Sequence, residues 1–81
     1  MNQKTFTLTI AKVNEQLFSG EAISVNLPGT EGQMTVLAGH EPLVSLLKEG
    51  TITVQAESGI REFVIKKGVL EISNNHVTVL V

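Results

Sequence analysis

Apolar and polar residues alternate along most of this chain, and that period limits what it can fold into. Phe6, Leu8 and Ile10 alternate with Thr5, Thr7 and Thr9. Ile23, Val25 and Leu27 alternate with Ala22, Ser24 and Asn26. Ile52, Val54 and Ala56 alternate with Thr51, Thr53 and Gln55, and Val77, Val79 and Val81 alternate with Thr78 and Leu80. Successive side chains of an extended strand point to opposite faces, so a period of two with many β-branched residues specifies strands with one buried face. The shared phase predicts a core of Phe6, Leu8, Ile10, Ile23, Val25, Leu27, Ile52, Val54, Phe63, Ile65, Val77 and Val79. Phe63, Val64 and Ile65 are apolar on both faces and suggest a central strand.

Turn signals punctuate these runs at Ser19-Gly20, Pro28-Gly29, Gly50, Ser58-Gly59, Lys67-Gly68 and Asn74-Asn75. Short strands at such intervals predict an all-β sandwich or barrel, with tight hairpins at "AESGIRE" and "ISNNHV". Only Pro42 to Lys48 has a helical flavour, from Leu43, Leu46 and Leu47 at i, i+3 and i+4, and it is too short for an independent helix.

Composition removes several functions. The 81 residues suffice for one small domain. There is no cysteine, so neither a disulfide nor a thiolate metal site can form. The net charge of −2 and the absence of Tyr and Trp speak against a nucleic-acid surface. No apolar run approaches the roughly 18 residues of a membrane helix, and the first ten residues do not resemble a signal peptide.

The stretch "PGTEGQMTVLAGHEP", Pro28 to Pro42, has the look of a chemical site. A phosphate-binding loop would need a lysine and a following helix, but β-type residues follow instead. A zinc-peptidase motif would put a second histidine at position 44, where Val44 stands, and Pro42 would interrupt the helix. No aspartate occurs anywhere, and nothing near His40 supplies the other roles of a catalytic dyad. His40 therefore reads as a structural histidine whose ring bonds nearby backbone. Gly29 and Gly32 are expected to take positive φ in a tight exposed turn, and Gly39 to do so before His40. Pro28 and Pro42 are expected to stiffen the ends of the segment and keep it from pairing as a sheet edge. The result is a rigid loop pair on a β scaffold, of the kind that either binds a partner or simply turns the chain.

Several segments then match one family in order. They are Phe18-Ser19-Gly20, closing the first hairpin; Pro28-Gly29-Thr30-Glu31-Gly32; Leu37-Ala38-Gly39-His40-Glu41-Pro42-Leu43; Leu47 to Gly50; Gly68-Val69-Leu70-Glu71-Ile72; and Val77-Thr78-Val79-Leu80. Together they resemble the N-terminal domain of the epsilon subunit of bacterial F-type ATP synthases, called delta in mitochondria. The resemblance implies a roughly ten-stranded β-sandwich or flattened barrel, one domain over residues 1–81. It implies a non-catalytic rotor subunit of the central stalk, without cofactor or metal, that binds the gamma subunit and docks on the c-subunit ring. It places Gly29, Thr30, Glu31, Gly32 and Gln33 at the ring-facing end, with His40 nearby. It also implies a peripheral position on the cytoplasmic face of a bacterial inner membrane.

Two departures qualify the match. Gln33, Met34 and Thr35 stand where the family usually has an acidic residue, a hydrophobic residue and a glycine, which changes the character of the loop tip. The family commonly continues into a C-terminal helical hairpin, whereas this sequence ends at Val81. These residues are therefore expected to support assembly and coupling without inhibiting hydrolysis by helix insertion. A small β-barrel module for a ligand or nucleic acid is the competing reading. The acidic balance and scarce aromatic residues oppose it.

Overall fold

The structure is a computed structural model and describes residues 4–81, which form nine strands and no helix. These are β1 (Phe6–Lys12), β2 (Glu15–Ala22), β3 (Ser24–Gly29), β4 (Gly32–Leu37), β5 (Leu43–Leu47), β6 (Gly50–Ala56), β7 (Gly59–Ile65), β8 (Gly68–Ser73) and β9 (His76–Leu80). One continuous path of hydrogen-bonded neighbours runs β2-β1-β9-β8-β5-β3-β6-β7, with β4 pairing β3 off the path. All pairs are antiparallel except β1 with β9, which run parallel in the register Leu8↔Val77 and Ile10↔Val79.

β3 makes the corner. Its first half pairs β6 and its last residue, Gly29, pairs Leu47 of β5, so the sheet turns there and curls over its own apolar face. The curl brings the two path ends together. Phe18 of β2 meets Phe63 of β7 edge to face, with centroids 6.3 Å apart, and the Arg61 guanidinium lies 5.6 Å and 5.1 Å from the two ring centroids. Such an aromatic pair adds about 0.5–1.5 kcal/mol beyond area burial, so this contact clasps a seam that no backbone ladder closes among the described residues.

Ten of the twelve expected core residues are buried. Ile23 is only partly buried because it sits at the bend between β2 and β3. Its N–H bonds the Gln55 carbonyl at 2.7 Å, while the preceding Ala22 fills the core instead. Phe63 is half-buried in the clasp. The core also takes Val36, Leu47, Leu70 and Ile72.

Three local expectations are corrected. The stretch with helical spacing, Leu43 to Leu47, is strand β5, because it pairs β8 along its whole length from Leu43↔Ile72 to Leu47↔Gly68. A ladder of that length outweighs a weak local helix preference. β7, expected to be central, is the end of the path, and Val64 is 82% exposed there. Ser19-Gly20 lies inside β2, the first hairpin turning at Val13-Asn14, and Pro28-Gly29 lies inside β3. The 28–37 segment thus does pair, as a β3–β4 hairpin with β4 at an edge. The hairpin at Asn74-Asn75 is as expected, with both residues at positive φ (51° and 60°) as a type I′ turn requires.

The topology gives the molecule two rims. One carries the turns at Val13-Asn14, Thr30-Glu31, Lys48-Glu49 and Lys66-Lys67, together with Val81. The other carries Lys4-Thr5, Ile23, the 38–42 connection, Glu57-Ser58 and Asn74-Asn75.

On β2 the Glu21 carboxylate accepts hydrogen bonds from the Thr5 hydroxyl at 2.7 Å and the Thr7 hydroxyl at 2.9 Å. These bonds favour the charged form and hold its pKa below the ordinary value, with a smaller pull from His76. A depressed folded pKa contributes stability above the unfolded pKa, near 4.3 for Glu, and that stability is lost as pH falls through the folded value. The Thr5→Val/Thr7→Val variant should therefore melt below the parent at neutral pH, with the gap closing below about pH 4. A gap in melting temperature that stays constant from neutral pH to pH 3 contradicts this account.

Candidate protein-docking site

The Gly29–Gln33 segment is the β3–β4 turn. Gly29 still belongs to β3 and pairs Gly32, leaving Thr30 and Glu31 at the tip. β5 braces the turn from beside it, with Thr30 N–H donating to the Leu46 carbonyl at 3.1 Å and Lys48 N–H to the Pro28 carbonyl at 2.8 Å. Pro28, which has no N–H to offer a ladder, is buried here, and a Cβ on Gly50 would come within 2.8 Å of its ring. The turn is therefore rigid at its base and exposed at its tip.

The two glycines serve different ends. Gly32 takes φ +134° with open space around it, as expected for a turn. Gly29 does not take positive φ. It is buried, and a Cβ there would meet the Gly32 carbonyl oxygen at 2.7 Å and the Met34 sulfur at 3.0 Å. Gly29 is thus a packing residue of the hairpin and does not belong to an exposed loop. Thr30, Glu31, Gly32 and Gln33 are exposed and offer one hydroxyl, one carboxylate and one carboxamide, a set suited to polar docking.

His40 does not join them. It lies past the other end of β4, on the opposite rim, roughly 20 Å away along a six-residue strand. Its Nδ1–H donates to the Glu41 carbonyl at 2.8 Å and its backbone N–H to the Leu37 carbonyl at 3.3 Å, in keeping with a structural histidine. Gly39 has φ +79°, and its N–H donates to the Asn75 side-chain oxygen at 2.8 Å, while the Asn75 amide donates to the Thr5 carbonyl at 2.9 Å. Asn75 therefore ties three segments of that rim together. Among the described residues, no three His, Cys, Asp or Glu side chains gather as metal ligands.

The sequence reading missed an apolar surface beside the turn. Leu46, Val69 and Leu80 stand in one row across β5, β8 and β9 and are all exposed. With Thr30 and Val81 they line a cleft of about 460 Å³. The helical reading of β5 concealed the row, since it hid which of the leucines face outward. An exposed apolar row of this kind is a candidate contact surface.

Comparison with known proteins agrees with this architecture. The chain is similar to a chain in the mitochondrial ATP synthase OSCP/F1/c-ring structure of Euglena gracilis, with 28% identity and a TM-score of 0.87, over 94% of this chain and 49% of that one. It shares its fold with a chain of the central stalk/c-ring structure of the Tetrahymena thermophila mitochondrial ATP synthase, with 9% identity and a TM-score of 0.80, over 99% and 65% of the two chains. The chain thus spans about half the length of the Euglena relative. The family model for the ATP synthase delta/epsilon chain, beta-sandwich domain, matches residues 5–81, and the chain belongs to that family.

Proposed function

We propose that this chain is a non-catalytic rotor subunit of the central stalk of an F-type ATP synthase, binding the gamma subunit and docking on the c-subunit ring. It would sit peripherally at the membrane through the complex, in a bacterium on the cytoplasmic face of the inner membrane. The observation that carries the reading is the family match over residues 5–81, and the Euglena relative comes from an F1/c-ring assembly.

The geometry supports a division of surfaces. The braced turn presents Thr30, Glu31, Gly32 and Gln33 at one rim, where polar ring loops would rest. The row of Leu46, Val69 and Leu80 supplies an apolar side contact for gamma. His40, on the opposite rim, has no part in the ring contact.

Replacing Thr30, Glu31 and Gln33 together with Trp, Lys and Lys tests the ring contact. Exposed changes of this kind usually cost within about 0.5 kcal/mol of stability, so the domain should remain folded and incorporated. ATP-driven ion pumping by the assembled enzyme should fall while ATP hydrolysis continues. Normal pumping by enzyme that contains the variant would overturn the ring assignment.

A further inference from the structure

A second cleft, of about 400 Å³, opens on the same rim as the docking turn, between Leu17 of β2 and Val64 and Ile65 of β7. It lies where the two ends of the sheet path meet without a backbone ladder. Three lysines line it: Lys12 at the end of β1, and Lys66 and Lys67 in the β7–β8 turn. Val81 completes the lining, its N–H donating to the Ala11 carbonyl at 3.0 Å. Every charged side chain lining the cleft is cationic. This concentrates half of the six basic residues of an otherwise acidic chain at one point.

We propose that this cleft binds the headgroup of an anionic phospholipid. Three lysines lining one cleft suit a phosphate, which each ammonium can bind as a point charge. Leu17, Val64, Ile65 and Val81, which share the lining, suit the first carbons of an acyl chain. No aromatic side chain lines the cleft, so a nucleotide would find nothing to stack its base on. A free phosphate shares the headgroup's chemistry. The choice of a lipid rests on the reading that this rim faces the ring and hence the bilayer, whereas the cationic cleft itself does not depend on that reading.

The 81-residue chain alone suffices for the test, so its outcome is independent of any coupling assay. It is titrated with phosphatidylcholine vesicles, with the same vesicles containing phosphatidylglycerol, and with inorganic pyrophosphate. Binding is expected only to the phosphatidylglycerol vesicles. At about fivefold per surface lysine, Lys12→Gln/Lys66→Gln/Lys67→Gln should weaken it about 100-fold. All three side chains are exposed, so the variant should fold. If it does not, Lys12→Gln alone should still weaken binding about fivefold. Lys4→Gln, on the far rim, should have little effect. Unchanged vesicle binding by the lysine variants, or an equal loss from Lys4→Gln, would overturn the site. Saturable pyrophosphate binding without vesicle binding would overturn the lipid and assign the cleft to a free phosphate.

Discussion

Leu70→Ala is expected to remove about 2–5 kcal/mol of stability, the usual cost of truncating a fully buried leucine. Leu70 lies on β8, flanked by β5 and β9, and has no solvent exposure. Its neighbours are held by ladders on both sides, at Ser45↔Leu70 and Leu70↔Val79, so the backbone has little freedom to collapse into the cavity. At roughly 0.05–0.15 kcal/mol per residue, the whole domain has about 4–12 kcal/mol. The variant should therefore lose a large share of that stability, and its melting temperature should fall by about 4–8 °C per kcal/mol lost. Val64→Ala, at an 82% exposed edge position, should stay within about 0.5 kcal/mol of the parent. Urea midpoints with unchanged slopes measure both. A Leu70→Ala midpoint equal to that of Val64→Ala would contradict the assigned core.

Gly29→Ala is expected to destabilise by about 1–3 kcal/mol, the range for overpacking. The added methyl would lie 2.7 Å from the Gly32 carbonyl oxygen and 3.0 Å from the Met34 sulfur. The flexible Met34 side chain can move. The Gly32 carbonyl cannot move without opening the pair that closes the hairpin. Stiffening the unfolded chain offsets only about 0.4–1 kcal/mol, so the collision decides the sign. The distortion would also pass into Thr30 and Glu31, so under the proposed ring contact coupling should weaken even though Gly29 is buried. A midpoint at or above that of the parent would show that the hairpin accommodates the methyl.

Much of this fold was legible because alternation is a local signal that burial enforces. Phe6, Leu8 and Ile10 could take only one phase, and they took it. Ile23 failed because a bend resets the phase there, which alternation alone cannot register. β5 failed because leucines three and four apart satisfy a helix locally, while the evidence for a strand lay some 25 residues away in its partner β8. The exposed turn at Thr30 to Gln33 was legible from Gly32, whereas Gly29 was misread because its close packing against Gly32 and Met34 is not visible in the sequence. His40 could not be separated from it in advance, because its place depends on whether the intervening residues run straight. They do, as β4. The Lys12, Lys66 and Lys67 cleft was invisible for a related reason: its first lysine is more than fifty residues from the other two in sequence, and only the closure of the sheet brings them together.

The parallel pair of β1 and β9 bears on how the chain is made. Thr7 finds its partner in His76, 69 residues later. At a synthesis rate of about 5–20 residues per second, the first strand waits roughly 3–14 s for that partner to be translated, and longer for it to clear the ribosome. Until then the only ladder partner β1 has is β2, and the core around Phe6, Leu8 and Ile10 lacks Val77 and Val79. An isolated hairpin is marginal in water. The nascent chain therefore holds an unpaired edge of β1 beside an incomplete core until β9 emerges, and its yield in the cell depends on what shields that edge until then.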